Sequence, residues 1–275
     1  MKGKTIVITG GTSGVGEVAA QALARMGARI ILVARSKSRA EATLARLCRS
    51  GPGAAHSVYF ADLTRLAEMK RVAAEIANRE PPIDVLINNA GALFGTRRLT
   101  EDRLEHTFAL NHMSYFVVTE GLRERLLASG AARIVNTASA AHQGATLDFD
   151  DLQSVKSFRA TRAYSCSKLC NILFTRELAR RLDGTGVTAN CLHPGFVATR
   201  FADESGGLIS HLAWLAKFFA ISPAAGAQTI IYLASSPEVA DVTGKYFYKC
   251  RPTMPSASAT GLLWRCGSVV RLWRV

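Results

Sequence analysis

Short apolar runs alternate with amphipathic segments along most of the chain. The apolar runs are KTIVITG, RIILVAR, HSVYFADL, IDVLINNAG, ARIVNTASA and GVTANCLHPG. Segments between them, such as GVGEVAAQALARMGA and RLAEMKRVAAEIANR, carry apolar residues at helical spacing. Strands that are apolar throughout and alternate with helices indicate a parallel sheet covered on both faces. We therefore predict a doubly wound α/β fold, with a parallel sheet of about seven strands flanked by helices.

The composition is that of a globular protein, with 48% hydrophobic and 20% charged residues. The net charge of +13 lies mainly in two segments. Residues 25–49 contain seven basic residues and one acidic residue, and residues 242–275 contain six basic residues and no acidic residue. Aromatic residues are not interleaved with the first segment and no nucleic-acid motif is visible. We therefore expect no nucleic-acid partner.

The cysteines do not have the spacing of a metal site. They are Cys48, Cys166, Cys170, Cys191, Cys250 and Cys266. The chain has no CxxC motif, and no signal peptide precedes these cysteines, so we expect free thiols in a reducing compartment. Cys166 and Cys170 share a helical face without a nearby His or Asp, which favours packing over metal binding. We predict no metal site.

No segment is apolar over the length of about 18 residues that a spanning helix needs. The nearest candidate, GLISHLAWLAKFF, is shorter and is interrupted by His211 and Lys217. Such a segment could lie on a membrane surface. We expect at most a peripheral contact with a membrane.

The first strand ends in a glycine-rich turn, TGGTSGVG, which opens the first helix. The spacing of its glycines, Gly10, Gly14 and Gly16, differs from the common GxGxxG fingerprint, but the conformational requirements on the glycines are the same. Glycine lets the backbone turn tightly and approach a pyrophosphate at the positive end of a helix. The turn therefore predicts a dinucleotide site, and the alternative is a purely structural turn.

The end of the second strand indicates which dinucleotide is bound. A free ribose 2′-hydroxyl usually meets an Asp or Glu about twenty residues after the glycines. Here the strand ends in Ala34 and Arg35, followed by Lys37 and Arg39. A guanidinium suits the 2′-phosphate of NADP through charge-assisted hydrogen bonds. We therefore predict NADP(H) in preference to NAD(H), with a solvated basic helix start as the alternative.

The stretch RAYSCSKLCNILF places Tyr164 four residues before Lys168 on a predicted amphipathic helix. Residues at this spacing share a helical face. A neighbouring ammonium favours the phenolate, so we expect Lys168 to lower the pKa of Tyr164 and make it a general acid or base. The pair alone is weak evidence, because an exposed helix face often carries two polar residues at this spacing.

Three further motifs lie at or near the ends of other predicted elements. NTASA places Ser139 after one strand, NNAG covers residues 88–91 after another, and LNHMSYF supplies Asn111. Ligands of open α/β sheets bind at this edge. With the glycine turn and the Tyr–Lys pair, these motifs resemble the classical short-chain dehydrogenase/reductase family over residues 4–248. Two sequence segments are similar to the retinol dehydrogenase branch of that family, namely AYSCSKLCNILFTRELARRLDGTGVTANCLHPGFVATR and ASAAHQG.

The resemblance implies a single-domain Rossmann fold and a catalytic tetrad. The tetrad consists of Asn111, Ser139, Tyr164 and Lys168. In the family's scheme Ser139 orients the substrate carbonyl and Tyr164 is the general acid or base. Lys168 binds the nicotinamide ribose and tunes Tyr164. Asn111 supports a water that links Lys168 to solvent.

The resemblance also implies a cofactor site built from several loops. The glycine turn contributes Gly10, Thr12, Ser13, Gly14, Val15 and Gly16, with the three glycines holding the pyrophosphate. Arg35 faces the 2′-phosphate, and Asp62 and Leu63 lie near the adenine. The adenosine ribose is bordered by Asn89, Ala90 and Gly91. The nicotinamide lies along Pro194, Gly195, Val197 and Thr199, with Tyr164 and Lys168 also in contact with the cofactor.

We assign residues 1–250 to one Rossmann-type catalytic domain. Residues 251–275 form a basic C-terminal tail whose structure the pattern leaves open. Within the domain, residues from about 201 to 221 are predicted to form a substrate flap, because four of their apolar side chains make a surface over the cleft. These residues are Trp214, Leu215, Phe218 and Phe219. The flap would admit a lipophilic substrate and exclude water, and the alternative is plain core packing.

Together these features predict an NADP(H)-dependent oxidoreductase that interconverts a hydrophobic aldehyde or ketone and its alcohol, with a retinal-like substrate as one candidate. The alternative is a nicotinamide-nucleotide-binding sensor or scaffold without turnover. Because only Met1, Lys2 and Gly3 precede the first strand, we expect a cytoplasmic protein. The helix from Lys168 to Leu182 resembles one that pairs subunits in the family, so we expect a homodimer or homotetramer.

Overall fold

The structure is a computed structural model and describes residues 1–196 and 221–260. One sheet runs through these residues. It consists of β1 (Thr5–Thr9), β2 (Arg29–Ala34), β3 (Ser57–Phe60), β4 (Val85–Asn88), β5 (Arg133–Thr137), β6 (Thr188–Leu192), β7 (Tyr246–Tyr248) and β8 (Arg251–Pro252).

Helices connect the strands and cover both faces of the sheet. They are α1 (Gly14–Arg25), α2 (Lys37–Ser50), α3 (Leu66–Arg79), α4 (His106–Phe108), α5 (Ser114–Gly121), α6 (Arg123–Leu127), α7 (Ala160–Arg181), α8 (Pro223–Ser235) and α9 (Ala257–Thr260). A π-helical turn at Ala109–Met113 joins α4 to α5. Two 3₁₀ turns lie at Ala140–Gly144 and Pro237–Val239.

The strand order is β3-β2-β1-β4-β5-β6-β7-β8, and all neighbours are parallel except β7 and β8. The predicted doubly wound parallel sheet is therefore confirmed. The additional antiparallel strand comes from residues 251–252, within the segment whose structure the sequence pattern leaves open. Successive strands are added on one side of β1 up to β3 and on its other side from β4 onward. Ligands of such folds bind at this switch point, between β1 and β4.

The strands bury both of their faces, as their continuous apolar sequences require. In β1, Val7 belongs to the core shared with α3, α5 and α7, whereas Ile6 and Ile8 belong to the core shared with α1 and α8. All three side chains have no exposed surface. Burial of this kind stabilises the fold by about 25 cal/mol per Å² of apolar area removed from water.

A chain of buried amide hydrogen bonds fixes β4 against β5. Asn88 is paired with Asn136 in the parallel register. The Asn88 amide donates to the side-chain oxygen of Asn136 at 2.9 Å and to the hydroxyl of Thr119 at 3.0 Å. The Asn136 amide donates to the hydroxyl of Thr175 at 2.9 Å. An unpaired buried amide is costly. A shift in register between β4 and β5, or a displacement of α5 or α7 relative to them, is therefore disfavoured.

Candidate active site

The glycine turn packs directly against the end of β4. Gly10 and Gly14 have φ values of +66° and +57°, in the left-handed region that favours glycine. A Cβ on Gly10 would lie 2.8 Å from the Cα of Ala90, and one on Gly16 would lie 2.4 Å from Nδ2 of Asn89. The Asn89 amide donates to the carbonyl oxygen of Gly10 at 3.1 Å. The close approach therefore requires glycine at both positions.

A cleft of about 490 Å³ collects most of the residues predicted to form the site. The predicted residues that line it are Gly10, Ser13, Gly14, Val15, Asn89, Ala90, Gly91, Ser139, Tyr164, Lys168, Pro194 and Gly195. Arg39, named above in the basic group after β2, and Phe196, which lies within residues 194–199 expected along the nicotinamide, also line it; the lining residues that were not predicted are Ala92, Thr137, Ala138, Ala140 and Ala141. Most of the lining residues that were not predicted directly adjoin a predicted motif. Their position at the end of a strand was the sequence signal that could have identified them.

Some predicted residues lie elsewhere. Arg35 and Asp62 line a neighbouring cavity of about 350 Å³, together with Thr64, Phe94, Thr96, Arg98 and His106. Leu63 is buried, and Thr12 and Gly16 flank residues that line the main cleft. Val197, Thr199 and the aromatic residues of the predicted flap lie outside the described residues.

The hydroxyl groups of Ser139 and Tyr164 meet in the main cleft. Ser139 follows β5 and begins the 3₁₀ turn, where its side chain accepts a hydrogen bond from the main-chain N–H of Ala141 at 3.2 Å. Its hydroxyl is also hydrogen-bonded to the side chain of Tyr164, which lies near the start of α7. Two adjacent hydroxyls can bind a single substrate oxygen between them.

Lys168 lies one helical turn further along α7 and is buried, with 3% of its surface exposed. Its Nζ donates to the carbonyl oxygen of Thr137 at 3.0 Å. The same atom lies 5.5 Å from the ring centre of Tyr115 and 5.7 Å from that of Tyr164. Burial lowers the pKa of Lys168 to about 7, because desolvation disfavours the ammonium.

The pKa of Tyr164 shifts in the direction opposite to the sequence prediction. Burial raises it to about 12, and the hydrogen bond with Ser139 opposes the rise. The expectation that Lys168 lowers this pKa is therefore wrong, because desolvation of the phenolate dominates and the amine of Lys168 is itself only partly protonated near pH 7. Tyr164 thus keeps its proton at neutral pH.

Asn111, in the π-helical turn, fastens the loop that follows β4. Its side-chain oxygen accepts from the main-chain N–H of Ala92 at 2.9 Å, and its amide donates to the carbonyl oxygen of Ala92 at 3.0 Å. A Cβ on Gly91 would lie 3.1 Å from the Asn111 side-chain oxygen and 3.4 Å from Nζ of Lys168. Asn111 and Lys168 therefore bracket Gly91, and a side chain at residue 91 would crowd both.

Asn171 is a structural partner of the site that sequence reasoning missed. Its amide donates to the main-chain oxygen of Asn111 at 2.8 Å and lies 3.4 Å from the carbonyl oxygen of Thr137. Its side-chain oxygen lies 3.0 Å from Nδ1 of His112, whose pKa burial lowers to about 4. The available signal was its spacing, since Asn171 follows Lys168 by three residues on one helical face.

Residues 1–196 and 221–260 contain no group of three or more His, Cys, Asp or Glu side chains that could hold a metal ion. No helix in that part of the chain has both the length and the apolar character needed to cross a bilayer.

Residues 4–206 match the model of a known family, short chain dehydrogenase. The chain is also 40% identical to retinol dehydrogenase 14 of Homo sapiens in an alignment of 296 positions, gaps included, that spans 98% of this chain and 87% of that protein. Both findings agree with the resemblance seen in the motifs.

Two solved structures share the fold. A structure of an uncharacterised protein from Mycobacterium paratuberculosis has a TM-score of 0.77 at 30% identity and covers 99% of this chain and 91% of its own. A proposed NAD(P)-dependent gluconate 5-dehydrogenase from Beutenbergia cavernae, solved with bound NADP, has a TM-score of 0.73 at 26% identity and covers 95% and 98% respectively. The similarity thus extends over nearly the whole chain.

Replacing Lys168 by methionine should stabilise the protein in a pH-dependent way. The buried ammonium is penalised in the folded state and not in the unfolded state, so the unfolding free energy of the variant relative to wild type should be on the order of 3 to 5 kcal/mol higher below pH 7 than above about pH 10. The folded wild type loses this proton near pH 7, whereas the unfolded chain keeps it to about pH 10. The gain should therefore shrink as the pH rises between these values.

Denaturant unfolding of Lys168→Met and wild type between pH 6 and pH 10 measures this difference. Lys156→Met is the matched control, because that side chain is 70% exposed. A difference for Lys168→Met that does not change with pH would contradict the burial argument.

Proposed function

Because the chain belongs to the short chain dehydrogenase family, as a retinol dehydrogenase-like member, we propose that it is an NADP(H)-dependent reductase or dehydrogenase of hydrophobic aldehydes, ketones and alcohols. Membership makes it an NAD(P)-dependent oxidoreductase that acts on CH–OH groups. The finer proposal depends mainly on one observation. Ser139, Tyr164 and Lys168 line the same cleft as the glycine turn.

The residues of the cleft fit a dinucleotide. Positions 10 and 16 leave no room for a Cβ, so the glycine turn packs closely against the end of β4 and opens directly into α1, at whose start a pyrophosphate would bind. Gly91 leaves a similarly narrow space between Asn111 and Lys168. We propose that the glycine turn holds the pyrophosphate, that residues 89–91 border the adenosine ribose, and that Pro194 and Gly195 border the nicotinamide.

In the proposed reaction Tyr164 donates its proton to the carbonyl oxygen of the substrate. Its pKa of about 12 keeps the phenol protonated at neutral pH, which suits the reduction direction. Ser139 hydrogen-bonds the same oxygen and stabilises the charge that develops on it. When bound, the nicotinamide supplies or accepts the hydride. We propose that Lys168 holds the nicotinamide ribose and that Asn111 keeps the loop after β4 in place beside it.

The preference for NADP(H) is proposed from the basic residues after β2. Arg35 lines the cavity beside Asp62, and Arg39 lines the main cleft near Ser13 and Gly14. Both residues follow β2, where the family resemblance puts the 2′-phosphate of the adenosine ribose. A 2′-phosphate would meet positive charge there, whereas NAD(H) offers no group that uses it. The B. cavernae structure contains NADP on the same fold.

A lipophilic substrate is proposed from two observations. The curated relatives include retinol dehydrogenases 12, 13 and 14 of Homo sapiens, at 36 to 40% identity. Phe196 lines the cleft and leaves 59% of its surface exposed, so an apolar ring is available there to contact a substrate. A retinal-like aldehyde is one molecule that meets these requirements.

The alternative of a nucleotide-binding sensor without turnover is not favoured, because all four tetrad residues are present and Ser139 is hydrogen-bonded to Tyr164. We further propose a homodimer or homotetramer, on the family resemblance of α7. The cytoplasmic location and the peripheral membrane contact stay predictions.

Replacing Tyr164 by phenylalanine should lower kcat about 100- to 10,000-fold, because the proton donor is lost. NADPH should still bind, since the glycine turn is unchanged. The measurement is NADPH oxidation with a panel of hydrophobic aldehydes that includes retinaldehyde, together with NADPH binding by fluorescence. Tyr232→Phe is the matched control, because Tyr232 lies on α8 and its hydroxyl donates to Glu238 in the 3₁₀ turn, away from the cleft. Substantial turnover by Tyr164→Phe would refute the proposed role, and a wild type inactive on every aldehyde would favour the sensor.

Replacing Arg35 by aspartate should shift the preference from NADPH toward NADH. Loss of a charge-assisted hydrogen bond to phosphate and gain of repulsion should lower kcat/KM for NADPH about 10- to 100-fold. The value for NADH should not fall. Arg49→Asp changes the same charge at the far end of α2 and is the control. An unchanged ratio of the two kcat/KM values in Arg35→Asp would remove Arg35 from the phosphate site.

A further inference from the structure

A buried histidine lies directly behind Ser139. His142 has no exposed surface and belongs to the 3₁₀ turn that Ser139 begins. Its Nδ1 lies 2.6 Å from the carbonyl oxygen of Ser139, and its Nε2 lies 3.1 Å from the main-chain nitrogen of Ser256. Both ring nitrogens thus have partners, and the reaction proposed above gives this residue no role.

The two partners determine where the imidazole proton lies. The carbonyl oxygen of Ser139 can only accept, so Nδ1 carries the hydrogen, and the main-chain N–H of Ser256 can only donate, so Nε2 accepts. Burial lowers the pKa of His142, with the hydrogen bond to Ser139 opposing. The ring is therefore neutral at neutral pH, which is the form that this pair of hydrogen bonds requires.

The chain after β7 turns back over the protein to reach this histidine. The main-chain N–H of Thr253 donates to the carbonyl oxygen of Tyr246 at 2.8 Å. Three residues later Ser256 binds His142, and α9 then packs against α7. The ring of Tyr246 meets that of His142 nearly edge-on, with 5.0 Å between their centres. We refer to residues 253–260 as the C-terminal strap.

We propose that His142 is a positioning residue for Ser139 and that the C-terminal strap, through Ser256, holds His142 in place. The proposal rests on the function proposed for Ser139, and it identifies the part of the fold that positions this residue. The Ser139 hydroxyl has to meet Tyr164 and a substrate oxygen together, and a displacement of about 1 Å in such an arrangement costs up to about 100-fold in rate. Ser139 lies beyond the end of β5, so the strand's own hydrogen bonds do not hold it.

A histidine that only fills the core would also have both ring nitrogens hydrogen-bonded. The effect of removing His142 on the reaction rate therefore has to separate the two roles. If His142 acts through Ser139, its loss matters only while the serine hydroxyl is present. If it supports the core in general, its loss lowers the rate whether or not the hydroxyl is there. A double-mutant cycle distinguishes these cases.

The cycle compares wild type, His142→Ala, Ser139→Ala and the double variant by kcat/KM for NADPH-dependent reduction of one hydrophobic aldehyde. His142→Ala should lower kcat/KM about 10- to 100-fold in the wild-type background. In the Ser139→Ala background the drop should be less than about twofold. NADPH binding serves as the control and should not change. An equal drop in both backgrounds, or no drop in the first, overturns the proposal.

A second pair of variants tests the C-terminal strap without any substrate. Ser256→Pro removes the N–H that binds His142, whereas Ser256→Ala retains it and is the matched control. Hydrogen exchange of the amides of residues 138–145 should become at least about tenfold faster in Ser256→Pro and stay the same in Ser256→Ala, with α1 unaffected in both. Unchanged exchange in Ser256→Pro overturns the link. An inactive wild type with faster exchange in Ser256→Pro would refute the proposed function and still support the link.

Discussion

The carbonyl oxygen of Thr137 is the acceptor on which the arrangement of the cleft depends. Nζ of Lys168 donates to it at 3.0 Å, and the amide of Asn171 lies 3.4 Å from it. A buried amine is costly unless it is paired, so α7 is held against β5 in the register that brings Lys168 to this oxygen. The same register places Tyr164 one turn earlier, beside Ser139, which lies two residues beyond Thr137 on the chain.

The sheet brings the glycine turn after β1 and the residues that follow β4 to the same edge as Ser139. β1 and β4 are neighbours where the strand order reverses, so Gly10 packs against Asn89 and Ala90. The buried pair of Asn88 and Asn136 sets the register of β4 and β5. The glycine turn and the part of the cleft that contains Ser139 are thus held in place by the same core, through these hydrogen bonds and the strand pairing.

Sequence reasoning reached the fold and the outline of the site because both follow from local signals. The strand-end positions of Gly10 and Ser139 follow from periodicity, since parallel strands end at one edge. Contacts between distant segments give no such signal, and the link from His142 to Ser256 spans 114 residues. The pKa of Tyr164 was predicted in the wrong direction because spacing shows which residues are neighbours and not how far packing removes them from water.

The most direct measurement of the whole scheme follows a label from the cofactor to the product. NADPH carrying deuterium at the transferable position of the nicotinamide is incubated with a hydrophobic aldehyde and the wild-type protein, and the alcohol is analysed by mass spectrometry. We expect one deuterium on the alcohol carbon, as direct hydride transfer from the nicotinamide requires. An alcohol without the label, or NADPH that binds and is never oxidised, would contradict hydride transfer in this cleft.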